Sequence, residues 1–475
     1  VRCAARACAG VIAGVIAVSA AFCAGAAADE ASAFTGAGLS PLWDLPFAGL
    51  LLSLAVGPLI AAHFWHAHYG KITAVWALAL LVPFVFVFGP SEALHQVMHT
   101  LLLEYLPFVI LLFALYTIAG GIVLRGTLVG TPKLNTALIA IGTTLASAMG
   151  TTGAAMLLIR PLLRANESRR RRAHIVVFFI ILVGNLGGAL TPLGDPPLFI
   201  GFLKGVDFFW PARVLALPTL ALSVVLLTLF YLIDRFLSRR EEAAQPAVYE
   251  PLVVDGAVNF ALIAGVVGAV LLSGVWKPGI AFEVAGTPVE LQAAVRDVAL
   301  LALALASLAL TSRAVRQSNA FSWAPIAEVA KLFAGIFLTI IPVIAMLRAG
   351  RDGALSTVVD LVTDSSSGEP RHVMYFWTTG VLSAFLDNAP TYLVFFNLAG
   401  GDPVALMGPL KKTLAAISAG AVYFGALTYV GNAPNFMIKA IAEQRGVTMP
   451  SFFAYLGYST LILLPLFVVI TLIYA

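Results

Sequence analysis

A helix of about 20 apolar residues spans the ~30 Å hydrocarbon core of a bilayer, and this chain carries such runs repeatedly. They lie near residues 47–65, 72–88, 101–124, 211–233, 257–275, 298–312, 327–347 and 450–474. Four further segments, 134–163, 174–203, 373–399 and 413–442, are also apolar but carry Gly, Pro, Thr, Asp or Asn at their centres. No water reaches the bilayer core to satisfy a broken backbone, so such segments survive only when buried in protein or lining a cavity. The chain is 60% hydrophobic and 11% charged, with mean hydropathy +0.96. Soluble domains carry about 25% charged residues, and a chain of this length could not hide so much apolar surface from water. The expected fold is an all-α polytopic membrane protein with the lipid bilayer as its solvent.

The interruptions come in pairs. Segments 134–163 and 373–399 fit re-entrant hairpins with tips near Thr151-Thr152-Gly153 and Asp387-Asn388-Ala389-Pro390. Segments 174–203 and 413–442 fit helices that unwind at Thr191–Pro197 and Thr428–Pro434 and then resume. Residues 188–199 read GALTPLGDPPLF and residues 425–436 read GALTYVGNAPNF, identical at seven of twelve positions. A Ser-Ala pair precedes each hairpin tip, Ser147-Ala148 and Ser383-Ala384. A Gly-Val pair and an aromatic cluster follow each broken helix, Gly205-Val206 before Phe208 and Gly446-Val447 before Phe452. Two repeats are expected, 45–240 and 250–475, each with three helices, a hairpin, a broken helix and a closing helix. They are expected to cross the membrane in opposite directions. Inverted repeats with paired broken helices point to a secondary transporter working by alternating access, with its site at the bilayer midplane.

Residues 1–28, with Arg2, Arg6, an apolar stretch and Ala26-Ala27-Ala28, read as a cleaved secretory signal; a retained first helix is the alternative. All three cysteines, Cys3, Cys8 and Cys23, lie in that segment, leaving none downstream for a disulfide or a thiolate metal site. With the mature N-terminus outside, the inward loops hold Lys71, Arg125, Lys133, Arg169–Arg172, Arg235, Arg239, Arg240, Arg313, Arg316 and Arg445. Glu283, Glu290, Asp352, Asp364 and Glu369 fall outside. This bias fits the bacterial inner membrane and makes the arginine run an orientation signal rather than a nucleic-acid surface.

The stretch from Gly184-Asn185-Leu186-Gly187-Gly188 to Thr191-Pro192-Leu193-Gly194-Asp195-Pro196-Pro197 resembles the signature of the ion transporter superfamily. That group includes arsenite permeases, NhaD-type sodium/proton antiporters, CitMHS-type citrate transporters and sodium–dicarboxylate symporters. Ser383 through Thr391, SAFLDNAPT, resembles the second hairpin of the NhaD-like and citrate-transport branch. The resemblance covers residues 45–475 in architecture. It implies a homodimer with a static scaffold and a mobile transport domain made from the hairpins and broken helices. The dicarboxylate branch carries Ser-Asn-Thr at each tip to hold substrate carboxylates. The tips here differ, which weighs against carboxylate recognition.

Asp195 and Asp387 are the acidic residues at the interruptions, one in each half, and are the Na⁺ candidates. A carboxylate at the bilayer centre costs at least about 2.5–3.5 kcal/mol on insertion scales, so such a residue ordinarily faces a cavity. The plainer reading is a helix cap, since Asp suits an N-cap and proline the first turn. Thr151, Thr152, Thr191, Asn388, Thr391, Thr428, Asn432 and Asn435 add oxygen ligands, and Gly194 and Gly431 flank the breaks. Any one threonine could instead bond its own helix backbone. Two pseudo-symmetric clusters are expected, joining the first tip to Thr191–Asp195 and the second to Thr428–Asn432. A buried carboxylate beside a cation site binds either a proton or a cation. The expected function is therefore Na⁺(Li⁺)/H⁺ antiport with no other cofactor, the alternatives being cation-coupled citrate or dicarboxylate transport and arsenite export. An enzyme is not expected: no HExxH is present, and the paired Asp fall on repeat-related breaks.

Weaker features carry two readings each. Glu104 is a proton relay or a satisfied buried carboxyl. His63, His66 and His68 are a metal site or an interfacial cluster closing the first helix, and His95 and His99 could share a helical face. Lys204 and Lys439 are expected to snorkel to the interface.

Overall fold

The computed structural model describes residues 34–239, 249–364 and 366–474; the expected signal segment, 1–28, lies outside them. The first half comprises α1 (Leu45–Ile60), α2 (Ala62–Phe88), α3 (Pro90–Thr100) and α4 (Leu106–Ala119), the last two joined by a π turn at Leu101–Tyr105. A hairpin follows, α5 (Pro132–Met149) and α6 (Thr151–Ala165), then a broken helix, α7 (Ala173–Leu182) and α8 (Pro196–Leu203), and the long α9 (Trp210–Ser238). The second half repeats this succession. It runs through α10 (Val258–Val275), α11 (Leu291–Leu310) and the pair α12 (Ala324–Thr339) and α13 (Ile341–Arg348), which bend by 43°. The hairpin α14 (His372–Leu386) and α15 (Asn388–Leu398), the broken helix α16 (Lys411–Phe424) and α17 (Ala433–Gln444), and α18 (Phe452–Tyr474) complete it. Among the described residues seven helices are long and apolar enough to cross a membrane, and α12–α13 makes an eighth as one bent span.

Two bundles result. The opening helices of both halves pack together, α2 on α12 and α4 on α11. The hairpins, broken helices and closing helices form the other, with α14 on α16, α15 on α8, α17 on α6 and α9 on α5. The α14–α16 contact is close because both helices are small where they cross. A Cβ at Gly420 would meet the Phe376 carbonyl oxygen at 2.6 Å, and one at Gly380 the Phe424 ring at 2.5 Å. Small residues are what let helix backbones approach this way in membranes.

Several boundaries differ from expectation. The first two helices meet at Ala61, three residues after Pro58, so Lys71 stands inside α2 instead of in a loop. The histidines open α2 instead of closing α1, because a polar stretch continues a helix when nothing in it breaks the backbone. His68 Nδ1 is 3.0 Å from the Phe64 carbonyl oxygen one turn back. Helix α11 starts at Leu291, earlier than the apolar run, and follows a hairpin of two strands, Ala281–Val284 and Thr287–Glu290. Two other short strands, Val123–Arg125 and Val253–Asp255, tie the halves together, with Arg125 Nε 2.5 Å from Asp255 Oδ2.

Candidate functional site

Breaking a helix frees carbonyls and amides that must find partners. Here the partners are the polar residues of the motif itself. The Thr191 hydroxyl donates to the Ser147 carbonyl in the first hairpin and accepts from Leu193 N. Thr428 repeats this in the second half, donating to the Ala384 carbonyl at 2.5 Å and accepting from Val430 and Gly431 N. Asn435 Nδ2 donates to the Gly425 and Thr428 carbonyls, and Asn185 Nδ2 to the Ile180 carbonyl and Asn435 Oδ1. Asn185 is not among the ligand candidates of the sequence. Its signs there are an amide inside an apolar run and its place in the Gly184–Gly188 stretch that carries the family resemblance.

Both hairpins turn on one residue of the same unusual conformation, Gly150 at φ 80° and ψ 150°, and Asp387 at φ 79° and ψ 144°. Only glycine adopts this region without strain, and a side chain there costs about 1–3 kcal/mol. The tips thus lie one residue before the expected Thr151 and at the expected Asp387. The spacing from Gly150 to Asp387 equals those from Thr191 to Thr428 and from Asp195 to Asn432. This register sets Ser147 opposite Ala384, so the Ser-Ala pairs seen in the sequence are offset by one residue.

The side chains from the two halves meet on one carboxylate. Asp195 stands at the N-cap of α8, yet its side chain makes no cap bond. Its Oδ1 accepts from Asn432 Nδ2 at 2.9 Å and Thr151 Oγ1 at 3.4 Å, and its Oδ2 from Asn388 Nδ2 at 2.5 Å. Asn432 Nδ2 also reaches the Gly184 carbonyl at 3.1 Å. The two expected clusters therefore converge into one, because Asn388 and Asn432 turn towards the first half. Asp387 behaves differently: its Oδ1 accepts from Ala389 N at 3.2 Å, a true cap, and its carbonyl accepts from Thr391. The Gly194 carbonyl accepts from Thr151 N, and Gly431 is pressed against the carbonyls of Gly425 and Ala384. Thr152 is half-buried beside Thr151 and makes no bond to Asp195.

The chemistry of this arrangement is specific. Asp195 and Asn432 are 1% exposed and Asn388 is fully buried. Every described side chain bonded to Asp195 is a neutral donor. The N-termini of α6, α8, α15 and α17 all open on the site, and their partial positive charge favours a carboxylate there. Asn388 Oδ1 and Asn432 Oδ1 are buried without a partner among the described residues. An orphaned buried acceptor costs about 1–3 kcal/mol, so two beside one carboxylate require a cause. The carboxylate and these two amide oxygens are hard donors, the type a small cation takes as ligands.

A second buried network has no local signature in the sequence. Asp234 on α9 accepts from Asn135 Nδ2 at 2.9 Å, pairs with Arg169 Nη2 at 2.6 Å and meets His174 Nε2 at 2.9 Å. It ties the base of the first hairpin to α7 and α9, so Arg169 is a structural ion-pair partner as well as part of a basic loop. Lys204 does not snorkel; its ammonium pairs with Glu104. Lys439 pairs with Glu443 at 2.8 Å and lies over the Tyr429 ring.

Among the described residues no group of three or more His, Cys, Asp or Glu is placed to hold a metal ion, so the oxygen set at Asp195 is built from one carboxylate and amides. No curated protein matches the chain. A family model described as "putative citrate transport" matches residues 36–475, nearly the whole chain, and with its membrane-helical fold the chain belongs to that family of secondary transporters.

Proposed function

We propose that this secondary transporter exchanges Na⁺ or Li⁺ for protons at Asp195, with the two halves inverted in the membrane and the protein a homodimer. One observation carries this reading: a buried carboxylate bonded only by neutral donors and flanked by the unpartnered oxygens of Asn388 and Asn432. With a cation present, the carboxylate and both amide oxygens supply ligands; with the cation gone, a proton neutralises the carboxylate. Two occupants competing for one buried negative charge is the minimum that coupled exchange needs. Asp387, next in sequence to Asn388, places a second carboxyl within electrostatic reach of Asp195.

The family description favours a second reading, cation-coupled citrate transport, and four helix N-termini at one site also suit an anionic substrate. Against it stands the site's own negative charge. Among the described residues no Lys or Arg side chain is bonded to Asp195 to hold a tricarboxylate beside it. Purified protein in liposomes distinguishes them when Na⁺, Li⁺, citrate and arsenite are tested side by side under imposed pH gradients. Antiport predicts alkali-cation-dependent proton movement without citrate. Citrate uptake with no such proton movement favours the second reading.

A further inference from the structure

The π turn at Leu101–Tyr105 sits between α3 and α4 of one continuous span. In an α-helix, residues four apart share a face, whereas a π turn takes one residue more to return to it. His95 and His99 are four apart, and Glu104 follows His99 by five, across the turn. In an unbroken α-helix Glu104 would point about 140° away from His99. The π turn brings it back towards the histidine face.

Burial deepens along this face. His95 is exposed, His99 half-buried and Glu104 8% exposed. The two imidazole ring centroids are 6.4 Å apart, a gap wide enough for one bridging water. The charged and titratable groups whose fields reach His99 are Glu104 and His95 on its own span, Lys204 on the turn after α8 and Arg348 at the end of α13. Glu104 Oε1 is paired with Lys204 Nζ, their side chains 10% and 17% exposed. Lys204 caps the C-terminus of α8, whose N-cap is Asp195. One eight-residue helix therefore presents the candidate carboxylate at one end and is held to the opening-helix bundle by an ion pair at the other.

We propose that His95, His99 and Glu104 form a proton path to the Glu104–Lys204 ion pair, and that this pair is a latch on the helix carrying Asp195. The proposal rests on the proton-coupled reading above. A proton from the aqueous face at His95 adds to its imidazole, passes to His99 and then to a carboxylate oxygen of Glu104. Glu104 becomes neutral, while Lys204 keeps its ammonium protons and loses its counter-charge. A buried ammonium without a partner is strongly disfavoured, so the end of α8 is driven off its seat. Loss of the proton by the same route restores the pair.

Two measurements on the full chain test this. In proteoliposomes, His99→Gln should slow cation-dependent proton flux about tenfold or more and flatten its profile between about pH 5 and 8. Equilibrium ²²Na⁺ binding to the same variant should match the parent, which a merely misfolded site would not allow. Flux of His95→Asn and His99→Gln at parental rates across that range would overturn the path. For the latch, Glu104→Cys with Lys204→Cys, made in a chain whose Cys3, Cys8 and Cys23 are serine, should be bridged by Hg²⁺. Bridging should stop turnover and a thiol should restore it; turnover at the unbridged rate would overturn the latch. Because bridging is read on whichever substrate the parent moves, citrate included, the latch stays testable even if cation exchange fails.

Discussion

Asp387 stands in a conformation that its counterpart Gly150 adopts freely, so Asp387→Gly should relieve strain while removing a charge. The relief is about 1–3 kcal/mol. Against it, a Gly cap is weaker than Asp by a few tenths of a kcal/mol, and glycine loses about 0.5–1 kcal/mol more chain entropy on folding. The balance runs from near zero to about 2 kcal/mol in favour of glycine. Asp387→Ala keeps the strain and loses the bond to Ala389 N, costing about 1 kcal/mol. The expected stability order is Gly at or above Asp, and Asp above Ala. Apparent melting of the three purified proteins in one detergent, at one scan rate, gives the order even if unfolding is irreversible. Transport should fall in both variants if the carboxylate serves the site. A glycine variant less stable than the alanine variant would show that Asp387 is not strained and refute the reasoning.

Four further outcomes are expected. Asn432→Asp sets a second carboxyl 2.9 Å from Asp195, so the two should titrate as a coupled pair and cation binding should change its pH dependence; an unchanged profile in ²²Na⁺ binding would place Asn432 outside the ion site. Gly420→Ala drives a Cβ to within 2.6 Å of the Phe376 carbonyl oxygen and should cost about 1–3 kcal/mol, read as a lowered melting temperature. Asp234→Ala leaves Arg169 buried without its carboxylate and should cost about 3–5 kcal/mol, read as loss of folded protein on size exclusion. Cysteines at Arg170 and Ser238 should be shielded from an impermeant thiol reagent in intact cells while one at Ser366 reacts; outside labelling at Arg170 would contradict the inverted orientation.

The breaks in the helices are legible because the bilayer enforces them: Gly, Pro, Asp and Asn amid apolar runs are tolerated at that depth only where the backbone leaves the helix inside protein. The repeat of Thr191–Asp195 in Thr428–Asn432 locates both broken helices, and the polar tips locate both hairpins. What the sequence conceals depends on contacts between distant residues. Asn185 and Asn435 lock the two broken helices to each other, a pairing no local pattern encodes. Asn432 repeats the position of Asp195 yet bonds to it, so the repeat suggests two polar clusters where the fold makes one. Lys204 resembles an interfacial lysine until the fold brings Glu104, on a span far earlier in the chain, against it. The stretch around Lys71 resembles a loop and the histidines before it a helix end, because polarity mimics irregularity, whereas the backbone there holds a regular helix.

Asp195→Asn keeps the size of the side chain and much of its hydrogen bonding while removing its charge. Its Na⁺-driven proton movement, measured in proteoliposomes beside the parent, tests the central claim most directly. Cation exchange at Asp195 predicts robust flux in the parent and none in the variant, with equal expression and an unchanged elution profile. Full flux in the variant, or a parent that moves citrate with no cation-dependent proton flux, would contradict it.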